Sequence, residues 1–129
     1  RLSERGVRDS VQFFLPMAIG AYQQLPALDH DARYDMGVLY LAGDDADGAL
    51  AQADTILRAV PSHLYGFMLR ARSLELKNDA RGARAAYTSF LRHEPAERVR
   101  QRPEYAEHQE AIDAFREEAT RGTASARTP

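Results

Sequence analysis

Apolar residues recur along this chain with a helical period. Ala46, Ala49, Leu50, Ala53, Ile56, Leu57 and Val60 fall at i, i+3, i+4 and i+7, the stripe of an amphipathic helix. A second stripe comprises Leu64, Phe67, Met68, Ala71 and Leu74, and a third Ala83, Ala86, Tyr87, Phe90 and Leu91. Residues 30–42 read as a further helix, carrying Tyr34, Leu39, Tyr40 and Leu41, and Gly43, Asp44 and Asp45 break it with turn and N-capping chemistry. Asn78 and Asp79 punctuate the chain the same way, and Pro61 and Pro95 are expected to stop the helices they follow. No strand-like alternation of useful length is present.

The pattern repeats. Asp45, Ala46, Gly48, Ala49, Leu57, Arg58 and Pro61 recur as Asp79, Ala80, Gly82, Ala83, Leu91, Arg92 and Pro95. Their constant offset of about 34 residues is the period of a helix-turn-helix repeat. Before the first repeat, Pro16 opens a helix with Ala18, Ile19, Tyr22 and Leu25 on one face, the second half of an incomplete unit. After the second repeat, Arg98, Arg100 and Arg102 form a basic connector, and Pro103 begins a final helix. There Tyr105, His108, Ile112, Phe115 and Ala119 share one face, the pattern of a cap over the end of a stack. The expected organisation is an N-terminal segment (1–29), two repeats (30–63 and 64–97), a capping helix (98–120) and a disordered tail (121–129).

These residues resemble the tetratricopeptide repeat family. In the first repeat Gly37, Tyr40, Ala49 and Pro61 match its pattern, while Arg33 stands where a large apolar residue is usual, and Ala53 and Ile56 exchange the large and small members. In the second, Phe67, Ala71, Leu74, Ala83, Tyr87 and Pro95 fit, and Phe90 replaces a small residue. The small residues let helices approach closely. The resemblance implies an all-α fold, a short right-handed α-solenoid, and a non-enzymatic protein-protein interaction module or scaffold. Its concave groove would comprise Asp31, Tyr34, Asp35, Val38 and Leu41 from the first repeat and Tyr65, Met68, Leu69, Arg72 and Glu75 from the second. The family's lysine-and-asparagine clamp for a C-terminal carboxylate has no counterpart, because Tyr34, Val38 and Leu69 occupy those positions. The competing expectation is that the N-terminal helix fills this groove.

Composition narrows the function. A net charge of -2 provides no basic field for nucleic acid or anionic membranes, and a protein or peptide is the expected partner. The longest apolar run, residues 11–22, falls short of the roughly 20 residues that cross a bilayer. Absence of cysteine excludes disulfides and thiolate chemistry. Two full repeats fall below the roughly three that make a stable stack, so the alternative role is a structural subunit of a larger assembly, whether or not membrane-attached, or a self-associating chain. Phe13, Phe14 and Leu15 would either dock there or cover the end of the stack.

Seven aspartates between positions 29 and 54 face only Arg33, an asymmetry that suits docking or the solvated outer faces of helices. Asp45, Asp47, Gly48 and Asp54 imitate part of a calcium loop, but Gly43 occupies its first ligand position, which favours helix capping. His30, His63, His93 and His108 show no metal spacing, and neither a metal nor a cofactor is expected. Glu104, Glu107 and Glu110 suit the solvated side of a cap, and no residue set earns a catalytic role.

Overall fold

The structure, a computed structural model, describes residues 29–125. The expected N-terminal helix and Phe13, Phe14 and Leu15 lie outside the described residues, as do the last four residues of the tail. Five α-helices and one 3₁₀ segment follow in order: α1 (His30–Ala42), α2 (Ala46–Ala59), α3 (Leu64–Leu76), α4 (Ala80–Arg100), the 3₁₀ segment (Pro103–His108) and α5 (Gln109–Ser125). Each helix packs on the next, α1 also touches α3, and the 3₁₀ segment lies against both α1 and α5. Among the described residues the fold is all-helical, with no strand.

The α1–α2 and α3–α4 turns share one atomic pattern. Asp45 accepts the Gly48 N–H at 2.8 Å, and Asp79 accepts the Gly82 N–H at 2.9 Å. The Asp45 N–H donates to the Tyr40 carbonyl, and the Asp79 N–H donates to the Leu74 carbonyl, each at 2.8 Å. Asp44 and Asn78 adopt left-handed backbone at φ 59° and 62°, a conformation that Asn and Asp tolerate because their short side chains bond locally. Asp45, singled out for its calcium-like spacing, therefore caps a helix.

Small residues set the helix spacing. Ala49, Ala53, Ala71, Ala83 and Ala86 are buried, and a Cβ on Gly37 would sit 2.6 Å from Leu69 Cδ1 of α3. Gly37 thus serves the close approach of α1 to α3. Ile56, Leu64, Met68, Leu69, Phe90, Ile112 and Phe115 fill the core, continuous from α2 to α5.

The C-terminal third departs from expectation. Pro95 does not end α4, which continues to Arg100 and stops at Gln101 in left-handed backbone, φ 52°. Proline lacks its own N–H bond, and the turns around it gain other anchors. Arg98 pairs with Glu94 at 2.8 Å, and Glu97, at 1% side-chain exposure, sits beneath the segment that follows. Arg98 and Arg100 are therefore helical, leaving Gln101 and Arg102 as the connector. The cap itself begins as 3₁₀ at Pro103, becomes α-helical at Gln109 and runs to Ser125, so residues 121–125 are helical where a disordered tail was expected.

Candidate functional site

The surface lined by α1 and α3 is where the sequence placed partner binding, and the C-terminal segment covers its Tyr65 end and pairs with Arg72. Tyr65, Met68 and Leu69 are buried core residues, not an open groove floor. Tyr34 is also buried, stacked on Tyr65 with ring centroids 4.4 Å apart. The Tyr65 hydroxyl donates to the Glu104 carbonyl. Arg72 bridges to Glu118 at 2.9 Å and lies over the Phe115 ring, while Glu75 accepts from the Tyr87 hydroxyl, which also lies 3.1 Å from Glu118. Burial, then the neighbouring Glu118, raises the Glu75 pKa. Of the ten expected groove residues, Val38, at 42%, and Glu75 are exposed; Asp31, Asp35, Leu41 and Arg72 are part-exposed.

What locks the C-terminal segment down is a buried polar network that the sequence reading did not identify. Glu97 accepts from Tyr105 at 2.6 Å, from Arg102 at 2.6 Å and from Ser62 at 2.9 Å. The Tyr105 hydroxyl in turn accepts the Leu64 N–H at 3.0 Å, so it serves as a cap for α3 from a residue 41 positions away. Burial pushes the Glu97 carboxyl up, but hydrogen bonds from Arg102, Tyr105 and Ser62 outweigh it and hold the pKa down to about 2.

His63 caps α3 directly. Its Nδ1 accepts the Tyr65 N–H at 3.2 Å, which assigns the ring proton of neutral imidazole to Nε2, 2.9 Å from the Glu104 carboxylate. Burial lowers the His63 pKa against the opposing pull of Glu104, so the ring is held neutral.

Two His-carboxylate clusters flank this lock. One joins His30, His63 and Glu104; the other joins Asp31, Asp35 and His108. The His108 imidazole packs near Tyr34 and Tyr65, with Nε2 3.0 Å from Asp31 Oδ1 and 3.1 Å from Asp35 Oδ1. Burial and then Asp35 raise the Asp31 pKa, with His108 opposing. Beside the clusters, Asp29, His30, Asp31, Pro103, Glu104 and Glu107 line a cleft of about 460 Å³.

His108, read from sequence as a packing residue, therefore packs and also engages two carboxylates. The absence of metal spacing among the histidines concerned neighbours in sequence, whereas these clusters join residues far apart in the chain. Tyr105 was expected on the apolar face of the cap and is buried, but nothing local signalled its bond to a buried Glu97. No family model, curated protein or solved structure matches this chain.

Proposed function

We propose that this chain is a tetratricopeptide-type helical repeat, a short right-handed solenoid, acting as a non-enzymatic module that binds another polypeptide. The observation that carries the reading is the shared turn, whose capping and left-handed-residue bonds around Asp45 recur around Asp79 at the period of such repeats. Repeats built this way present their first helices on one surface, here α1 and α3. The C-terminal segment takes up the Tyr65 end of that surface. The remaining strip holds Val38, the half-buried Leu41 one turn further on, and part-exposed Asp35 and Arg72.

An apolar strip between an acid and a base suits a segment that inserts one or two apolar side chains and carries charges of both signs beside them. Affinity capture with the wild-type chain beside Val38→Glu tests this. A polypeptide retained by the wild type and lost by the variant, with the circular dichroism spectrum unchanged, supports the reading. Equal retention by both chains overturns it.

A further inference from the structure

The chain carries a place for a cation that its sequence did not announce. We infer that Asp31, Asp35 and His108 form a binding site for one divalent transition-metal ion, Zn²⁺ being the ion that the donor set suits best. One imidazole nitrogen and two carboxylate oxygens converge from two elements, the first turns of α1 and the end of the 3₁₀ segment.

The spacing fits an ion. Bonds of about 2.1 Å at angles between octahedral and tetrahedral place donors about 3.0–3.4 Å apart. His108 Nε2 stands 3.0 Å from Asp31 Oδ1 and 3.1 Å from Asp35 Oδ1. All three ligand atoms lie within 4.8 Å of one another, close enough for one ion to engage them together. A mixed nitrogen and oxygen set selects zinc-like ions over calcium or magnesium, which take oxygen alone.

The alternative without an ion is a single His108 Nε2–H shared between the two carboxylates. Such a three-centre bond spreads one proton over two anions, and Asp31 Oδ1, itself buried, gains no well-directed hydrogen bond from the ring. Asp31 and Asp35 also stand at i, i+4, where like charges repel unless a cation lies between them. The three side chains are between a quarter and two-fifths exposed, which places the cluster at the surface of the fold.

The neighbouring His30, His63 and Glu104 cluster does not compete for the ion. His63 spends its Nδ1 lone pair on the Tyr65 N–H and carries its proton on Nε2, leaving no free lone pair for a metal.

Calorimetric titration of the full chain with Zn²⁺ alone, near neutral pH and in a non-chelating buffer, tests the site. Asp35 also belongs to the strip proposed for a partner, but a titration of the chain with Zn²⁺ alone tests the site apart from that reading. The expected result is one ion per wild-type chain, with affinity at least about tenfold weaker in Asp35→Asn and in His108→Gln, and unchanged in His30→Gln and Asp54→Asn. Asp35 is part-exposed, and its variant, checked for folding by circular dichroism, decides the matter even where His108→Gln unfolds. No saturable binding by the wild type, or equal binding by Asp35→Asn, overturns the inference.

Discussion

Replacing Glu97 with Gln removes a charge that four neighbouring groups are arranged around while preserving shape. Arg102, Tyr105 and Ser62 donate to the carboxylate, and Arg100 stands 3.3 Å away. Each pH unit separating folded and unfolded pKa values corresponds to about 1.4 kcal/mol, so lowering Glu97 from 4.5 to about 2 contributes about 3 kcal/mol at neutral pH. Because the folded pKa is the depressed one, this stability is present above about 4.5 and is lost as pH falls toward about 2. With a urea slope of about 1–3 kcal/mol/M, the Glu97→Gln midpoint drops by about 1–3 M at neutral pH. Near pH 3 the gap between the two chains shrinks to about 1.4 kcal/mol, since part of the ionisation advantage is already gone. Equilibrium urea unfolding followed by circular dichroism at both pH values reads these quantities. An unchanged neutral midpoint, or a gap of the same size in acid, refutes the view that a buried, ionised Glu97 holds the C-terminal segment in place.

The duplicated caps predict duplicated losses: Asp45→Ala and Asp79→Ala each destabilise by about 1 kcal/mol, and a loss confined to one of them contradicts the matched turns. In Gly37→Ala the clash with Leu69 costs about 1–3 kcal/mol against the roughly 1 kcal/mol that alanine adds to a helix, a net loss of up to about 2 kcal/mol; a rise in the thermal midpoint shows the packing to be looser than described. His63 is held neutral below its ordinary 6.5, so stability declines as pH falls below that value. His63→Asn, which keeps a capping side chain, flattens this part of the pH profile; an unaltered slope assigns the effect elsewhere.

The two matched turns were legible because everything that makes them is local. Apolar period, the Asp caps and left-handed Asp44 and Asn78 all lie within a few residues of the turns they build. Pro95 misled because it stands in the same place as Pro61, yet the residues after it differ. Pro61 leads to Ser62 and the capping His63, whereas Ala96, Glu97 and Arg98 are good helix formers with partners waiting on the connector and α5. The closure over α3 was not readable, since Ser62–Glu97, Leu64–Tyr105 and Tyr65–Glu104 join positions 35 to 41 apart with no periodic signature. A glutamate inside a run of charges is ordinarily solvated, and Glu97 is buried only because Arg102 and Tyr105 fold back onto it. The same fold-back covers Tyr65 and brings His108 to Asp31 and Asp35, while the close approach of α1 at Gly37 buries Leu69.

The central functional claim is that the strip around Val38 receives a separate polypeptide. A photo-crosslinking side chain placed at Val38, with a second chain carrying it at exposed Ala85 on α4 as control, tests this most directly. The account predicts an intermolecular adduct from position 38 and none from position 85. Equal adducts from both positions, or an intramolecular adduct from position 38 to residues 1–28, would contradict it.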